Sequence, residues 1–202
     1  TDLYKVKRYG TRWTLGQGLS DDIYVRGAIR YEDVKEYYRD GTKRDDYDLV
    51  AFTPTITYDT RNNRFSPQKG IYLNLSDEIG KIVSDHRSYN QFEIDLRAYH
   101  RTFFKDKNIM AYRAVWGTTG SETPEALRFK MGGADSVRGY DYGDFEGYNE
   151  FYFNVENRTQ ITNSIQLVAF FDIGNAWQTL DKKPDRDGAD KFKDLKSGAG
   201  VG

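Results

Sequence analysis

The residues best suited to site chemistry lie in one glycine-rich stretch, Met131-Gly132-Gly133-Ala134-Asp135-Ser136-Val137-Arg138-Gly139-Tyr140. Its glycines permit a tight turn around the guanidinium of Arg138. A guanidinium carries five N–H donors and no acceptor, so an arginine held in such a turn needs carboxylates or aromatic faces as partners. We therefore expect Arg138 to act as an anchoring cation for the chain around it.

Other groups that could carry chemistry lack the spacing that their chemistry requires. His86 and His100, the only histidines, fall in different segments and fit neither a zinc site nor a catalytic triad. The charged run at residues 181–188 has Lys183 where an EF-hand loop needs its first carboxylate, which indicates a solvated loop. The glycines at residues 198–202 do not lead into a helix, so they predict no phosphate cradle. We expect no metal, no cofactor and no enzymatic activity.

Composition favours a protein built from strands and excludes several classes of function. Aromatic residues make up 15% of the 202 residues, beside 19 glycines and only 4 prolines, a mixture typical of many β-strands joined by turns. The 30 basic and 31 acidic side chains balance without a basic stripe, which argues against nucleic acid as a partner. No apolar run approaches the ~20 residues of a spanning helix. The mean hydropathy of -0.80 still permits a membrane barrel, because barrel strands alternate a lipid-facing side and a polar side.

Alternation of apolar and polar residues at period two predicts strands with one apolar face. It is clearest at residues 50–58, where Val50, Phe52 and Ile56 share one side opposite threonines, although Pro54 is unusual in a paired strand. Similar alternation occupies residues 23–32, 71–76, 91–98, 151–158 and 165–173, and a weaker form occupies 4–18 and 109–118. With the end of the chain this gives about nine strands, many near the ~9 to 11 residues of a membrane-spanning strand. Strands of a soluble sandwich are shorter, near ~5 to 6 residues.

The connections between these strands alternate in length. We expect tight ones at residues 104–108 and 162–164, and longer ones at 39–47, 119–149 and 177–191. That asymmetry is typical of a membrane barrel with short turns at one rim and long loops at the other. The stretch from 119 to 149 is too long for a mere connection, which indicates a functional or disordered loop.

Four motifs in a fixed order resemble those of one known family. Val137-Arg138-Gly139-Tyr140, preceded by Gly132-Gly133, resembles its V-R-G-F/Y tetrad. Phe170-Phe171-Asp172-Ile173-Gly174 resembles its F-x-D-x-G strand, and Asn154-Val155-Glu156 resembles the strand between them. Upstream, residues 58–70 resemble its D-x-R hairpin with a following P-x-x-G. Four such features together are far more specific than one, and the family that they resemble is the BamA-like superfamily of outer-membrane proteins.

The resemblance, which covers the chain from about Asp48 to Gly202, implies a partial transmembrane β-barrel domain over residues 1–202. Such a barrel is all-β and antiparallel, with about sixteen strands when complete, of which this chain would cover roughly nine, from near the sixth to the fourteenth. The long loop at residues 119–149 would fold back into the lumen. We expect the N-terminal POTRA repeats and the first and last barrel strands to be absent from this chain.

The resemblance also implies the roles of individual residues. Arg138 would anchor the lumen loop, with Asp172 as its salt-bridge partner and Glu156 as a second carboxylate nearby. Strand parity agrees, because both carboxylates fall on the charged side of their strands and would point inward if the apolar sides meet lipid. The other motif residues are Gly132, Gly133, Val137, Gly139 and Tyr140 in the loop and Phe170 and Gly174 in the strand. Two other interpretations of the carboxylates are the general polarity of a lumen and a hydrolytic acid/base pair, which no nucleophile or pocket signature accompanies.

For function, the resemblance implies a non-enzymatic barrel that inserts other outer-membrane proteins, located in the bacterial outer membrane or the outer membrane of an organelle. Its partners would be outer-membrane lipids, unfolded outer-membrane protein clients and periplasmic or lipoprotein accessory subunits. Within the same fold, a two-partner-secretion transporter or a patatin-type autotransporter barrel would translocate or anchor a passenger. From another class, a soluble β-sandwich or ligand-binding barrel would use the aromatic faces as its core.

Overall fold

The computed structural model describes residues 4–102, 108–162, 164–178 and 194–202. Within these ranges the chain forms strands and a short 3₁₀ turn at Glu125–Leu127. The strands are β1 (Tyr4–Gly18), β2 (Ile23–Tyr38), β3 (Lys43–Asp59), β4 (Gly70–Ile82), β5 (Ser88–Arg101), β6 (Asn108–Thr119), β7 (Phe129–Met131), β8 (Phe145–Gly147), β9 (Asn149–Gln160), β10 (Gln166–Trp177) and β11 (Lys196–Val201). None of the described residues forms a helix long and apolar enough to cross a membrane.

Nine of the strands form one antiparallel sheet in the order β1-β2-β3-β4-β5-β6-β9-β10-β11. Every strand therefore pairs with its neighbour along the chain, except that β6 pairs with β9 across the inserted β7 and β8. β7 and β8 form a separate two-stranded sheet. The predicted all-β antiparallel architecture is confirmed, including its nine strands. A β-sandwich would need two packed sheets, whereas these nine strands form a single one.

Many apolar side chains of this sheet are exposed and many polar side chains are buried, which is the reverse of the usual pattern. Strand β3 illustrates this. Phe52 and Ile56 lie on one face and are 47% and 52% exposed. Thr53 and Thr55 lie on the other face and are buried. We refer to these as the outward and the inner face. The outward face continues across the neighbouring strands with the exposed side chains of Trp13, Ile29, Ile79, Leu96, Trp116, Leu167 and Phe171.

The connection expected to be long at residues 39–47 is a tight turn at residues 39–42, so that prediction is wrong. Both β2 and β3 continue beyond the alternating segments, because their polar ends still pair with each other. The turn closes with a hydrogen bond from the Gly41 N–H to the Tyr38 carbonyl (3.0 Å), and Gly41 adopts the left-handed φ of 87° that favours glycine. The longer connection, residues 60–69, joins β3 to β4 at the opposite rim of the sheet.

Residues 103–107, 163 and 179–193 lie outside the described part of the chain. They include most of the predicted turn at 104–108, the middle of the predicted turn at 162–164, most of the predicted loop at 177–191 and the charged run at 181–188. The predicted loop at 119–149 is described throughout.

The connection from β6 to β9, residues 120–148, lies against the inner face of the sheet, and we refer to it as the inner loop. It has structure of its own, because it contains the 3₁₀ turn and the β7–β8 pair. Two buried clusters of apolar side chains hold it in place. The first joins Leu127 of the inner loop to side chains of β2 to β5. The second joins Met131 and Val137 of the inner loop to Val115 and Tyr152 of the sheet.

Candidate functional site

The inner loop turns back on itself around Arg138. Gly133 donates its N–H to a carbonyl across the turn (2.8 Å), and Gly132 and Ser136 exchange two hydrogen bonds (2.8 and 3.2 Å). Gly132, Gly133 and Gly139 have φ values of 116°, 83° and 98°. Residues other than glycine rarely adopt these φ values, so the glycines of the motif make this turn possible.

From this turn, Arg138 reaches Asp172 on β10 in a two-pronged ion pair. Its Nε lies 2.6 Å from Oδ2 and its Nη2 lies 2.7 Å from Oδ1, while its backbone N–H donates to the same carboxylate at 3.1 Å. The remaining nitrogen, Nη1, lies 2.7 Å from Oε1 of Glu156 on β9. All three guanidinium nitrogens therefore bind carboxylate oxygens. The hydrogen bonds to Asp172 raise the pKa of Arg138.

Neighbouring polar groups compensate the rest of the buried charge. The Asp172 side chain is 0% exposed, and besides Arg138 it accepts a hydrogen bond from Asn154 Nδ2 (2.8 Å). The same amide nitrogen lies 2.6 Å from a carbonyl of the inner loop. Glu156 binds a second guanidinium, that of Arg158, whose Nε lies 2.8 Å from Oε2. A carboxylate without water is stable only when compensated in this way, so the site can hold the loop firmly.

An aromatic ring and two glycines complete the surroundings of Arg138. The guanidinium carbon lies 3.7 Å from the centroid of the Phe170 ring, a cation–π contact. Phe170 shares the inner face with Asp172 because the two residues are two positions apart on one strand. A side-chain carbon on Gly198 of β11 would lie 1.9 Å from the carbonyl oxygen of Arg138, and one on Gly200 would lie 2.7 Å from the Phe170 ring. The small residues of β11 thus make room for the loop.

The remaining motif residues pack instead of binding the guanidinium. Val137 has no exposed surface and belongs to the second apolar cluster. The ring of Tyr140 meets that of Phe145 edge to face, with centroids 4.9 Å apart. A side-chain carbon on Gly174 would lie 2.5 Å from Cβ of Tyr152, so this position needs glycine to let β9 and β10 carry the loop. These contacts set where the turn sits on the sheet.

A second charged cluster, on β5 and β6, extends the attachment of the inner loop. Asp95 accepts hydrogen bonds from Arg97 Nη2 at 2.6 Å and from Arg113 Nη2 at 2.9 Å. Arg113 also donates from Nη1 to the carbonyl of Asp135 in the inner loop, at 2.9 Å. Around its central turn the loop is therefore bound to three strands, β6, β9 and β10, while Asp95 of β5 holds Arg113 in place.

The structure brings together three groups that the sequence singled out, Arg138, Asp172 and Glu156. It also places Phe170 against the guanidinium, whereas Gly174 makes room for Tyr152 on the neighbouring strand.

Sequence reasoning missed Asn154 and Arg158 as partners and Gly198 as a point of close approach. Parity could have found the first two, since both share the inner side of β9 with Glu156. The close approach of Gly198 has no signal in the sequence, because it depends on how β11 and the loop meet.

The upstream motif at residues 58–70 builds a turn between β3 and β4. Arg61 forms a two-pronged pair with Asp59 (2.8 and 2.9 Å) and lies over the ring of Tyr72 at 4.4 Å. Gly70 has a φ of 108°, where a side-chain carbon would lie 2.4 Å from the carbonyl of Thr60. These residues shape the rim of the sheet and form no part of the Arg138 site.

Comparison with known proteins gives a family and a fold. A family model described as the Omp85 superfamily domain matches residues 1–202. The crystal structure of BamA from Haemophilus ducreyi lacking POTRA domains 1-3 superposes on 98% of this chain with a TM-score of 0.78 and 17% sequence identity. This chain spans about half of that structure, 48% of its length. At this identity the likeness shows the fold. Among curated proteins none matches the chain.

Proposed function

The chain belongs to the Omp85 superfamily, and from that premise we propose that it forms part of the wall of an outer-membrane β-barrel that inserts or assembles other outer-membrane proteins. In this proposal the protein acts without catalysis, on unfolded outer-membrane protein clients, in the outer membrane of a bacterium or an organelle. Periplasmic or lipoprotein accessory subunits would assist it.

The observation that carries this proposal is the reversed exposure of the sheet. Apolar side chains such as Ile56 face outward and are uncovered, whereas polar ones such as Thr55 are buried on the inner face. A soluble sheet would cover its apolar side, but in a membrane the hydrocarbon covers it.

The outward apolar surface has the height of a bilayer crossing. On β2 the outward side carries Ile23, Ile29 and Tyr31, and then changes to Asp33 and Lys35 on the same side. A membrane strand needs only about 9 to 11 tilted residues to cross the hydrocarbon, so the charged end of β2 would lie beyond it. Paired strand ends that continue past the membrane also account for the short turn at residues 39–42.

We further propose that the Arg138 site fixes the inner loop inside the lumen and thereby sets the shape of the barrel interior. The guanidinium is bound to Asp172 and Glu156 on two neighbouring strands, so the loop and the wall are held in one arrangement. An interior of fixed shape would leave conformational change to the parts of the complete barrel that lie outside this chain.

Spin labels test the orientation of the wall. We expect a label at residue 56, in place of Ile56, to be accessible to oxygen in lipid vesicles, and a label in place of Thr57 to be accessible to a water-soluble nickel chelate. Equal accessibility of the two labels to the nickel chelate would contradict the membrane assignment.

Folding of a client tests the activity. The complete protein in vesicles should accelerate the folding of a urea-unfolded outer-membrane protein, followed by the mobility shift of folded barrels on unheated gels. Vesicles without the protein and vesicles with an unrelated barrel are the controls. Folding no faster than in the controls would refute the assembly proposal. Release of a passenger protein across the vesicle wall would instead favour the secretion alternative.

A further inference from the structure

The inner loop has a second attachment near the opposite edge of the sheet, and we propose that Arg44 is a positioning residue that holds the first limb of the loop, residues 120–128, against β1 to β5. This limb contains the 3₁₀ turn Glu125–Leu127. We refer to the contacts of Arg44, Arg8 and Leu127 as the second anchor. The inference concerns where the limb is held, so it does not depend on whether the barrel inserts other proteins.

A β-bulge aims Arg44 at the limb. In the pairing of β2 with β3, Asp45 and Lys43 have partners in register while Arg44 is skipped as an extra residue. Strict alternation would place Arg44 on the outward face, next to the inward Asp45, but a bulge can redirect a side chain. Here Arg44 turns inward and pairs with Glu36 of β2 (3.4 Å) and with Glu125 of the limb.

Arg44 is also paired with a carboxylate of the sheet itself. Glu36 is only 3% exposed, and a buried carboxylate requires a cation nearby. Arg44 supplies this cation from the sheet itself and keeps a second side of its guanidinium for Glu125. The limb therefore binds an arginine that a second contact, with Glu36 of the sheet, also holds in place.

Two further contacts hold the limb at the same place. Arg8 of β1 donates from Nη2 to the carbonyl of Ala126 at 2.6 Å. Leu127 is 8% exposed and packs in the first apolar cluster, with Val34 and Leu49 among its members. An ion pair, a hydrogen bond to backbone and an apolar contact thus converge on one turn of the chain.

The two anchors link both edges of the described sheet. Arg8 lies on β1 and contacts the limb, while Gly198 lies on β11 and contacts the backbone of Arg138. A flat sheet of this many strands would be roughly 38 Å wide at ~4.8 Å per strand. About a dozen residues join Ala126 to Arg138, at most ~40 Å when fully extended, yet they include β7 and the turn at Gly132-Gly133. Because these residues fold back at that turn, their span is shorter than a flat sheet would be wide, which indicates that the sheet curves around the loop.

Hydrogen exchange of the complete protein in detergent tests the second anchor, with the limb (residues 120–128) and the Arg138 turn (residues 132–140) followed as separate peptides. Glu125→Gln removes one ion pair and leaves Arg44 with Glu36. We expect exchange in the limb to become roughly tenfold faster, the scale of a charge-assisted hydrogen bond, and exchange in the Arg138 turn to stay unchanged. Arg44→Lys keeps the positive charge but loses the branched guanidinium. It should accelerate exchange in the limb less than Glu125→Gln does.

Lys43→Ala is the matched control. Lys43 directly precedes Arg44 and pairs with Asp46 at the surface, so its replacement should leave exchange in the limb unchanged. Arg44→Ala also leaves the buried Glu36 carboxylate without its cation. If that variant fails to fold, as judged by gel mobility without heating, Glu125→Gln and Leu127→Ala test the inference instead. Unchanged exchange in the limb of Glu125→Gln would overturn the inference. So would an equal rise in the limb and in all strands, since that would report a general loss of stability.

Discussion

Replacing Arg138 with alanine should release the central turn of the inner loop and leave the strands in place. The change removes three charge-assisted hydrogen bonds to Asp172 and Glu156 and the contact with the Phe170 ring. It also leaves the fully buried Asp172 carboxylate without its cation.

The magnitude follows from these contacts. Breaking a buried ion pair by removing one partner costs about 3 to 5 kcal/mol. The lower end applies, because the Arg138 side chain is 23% exposed and because Asp172 keeps the hydrogen bonds from Asn154 and from the backbone of residue 138. We therefore expect the docking of the turn to weaken by about 3 kcal/mol, which corresponds to roughly a hundredfold in the opening equilibrium.

Hydrogen exchange measures this opening directly. In the complete protein in detergent, amides of residues 132–140 should exchange roughly a hundredfold faster in Arg138→Ala, while peptides from β9 and β10 keep their protection. Arg87→Ala provides the control, since Arg87 pairs with Asp85 at the surface and such a pair contributes little. Arg138→Lys should fall between the two, because lysine keeps the charge but not the two-pronged geometry.

A double-mutant cycle then shows whether Arg138 acts through Asp172. We expect Arg138→Ala and Asp172→Asn to be non-additive, with a coupling of about 2 kcal/mol, within the usual range for residues in direct contact. Additive effects, or exchange at residues 132–140 that Arg138→Ala does not change, would refute this account of the site.

Three other changes probe the parts of the wall around this site. Gly198→Ala should weaken the docking of the loop by about 1 to 3 kcal/mol, because the new carbon would lie 1.9 Å from a loop carbonyl oxygen. Gly202→Ala, in open space, should leave the docking unchanged, and equal hydrogen exchange at residues 132–140 in the two variants would contradict this. Phe170→Leu should cost about 0.5 to 2 kcal/mol of the same docking through the lost cation–π contact, which exchange at residues 132–140 would report. Ile56→Lys should make folding into vesicles less favourable by about 2 to 4 kcal/mol, and Thr57→Lys by much less; similar losses of stability in urea titrations would mean that the two faces are wrongly assigned.

Much of the fold follows from local pattern. Alternation at residues 50–58 and its counterparts predicted the strands, and the structure has β3 and its neighbours there. The prediction failed at residues 39–47, because polar side chains there looked like a loop. Backbone pairing does not require apolar side chains, so two strands can continue as a polar hairpin beyond the region where one face must be oily.

Parity also places the carboxylates of the candidate site on the side where the structure has them. Side-chain direction in a strand alternates strictly, so the inward direction of Glu156 and Asp172 could be read from their neighbours alone. The glycine pattern around Arg138 likewise indicated a turn, because positive φ values are a local requirement.

By itself, then, the sequence determined the strands, their two faces and the residue types that could meet across the inner side, because period and backbone conformation are properties of a few consecutive residues. Only the tertiary structure decided that the Arg138 backbone passes against Gly198 of β11, that a bulge turns Arg44 inward and that Leu127 reaches β2 to β5. Those contacts join residues tens of positions apart and depend on the curvature of the whole sheet. No local period encodes that curvature, so local pattern could not predict these contacts of the inner loop.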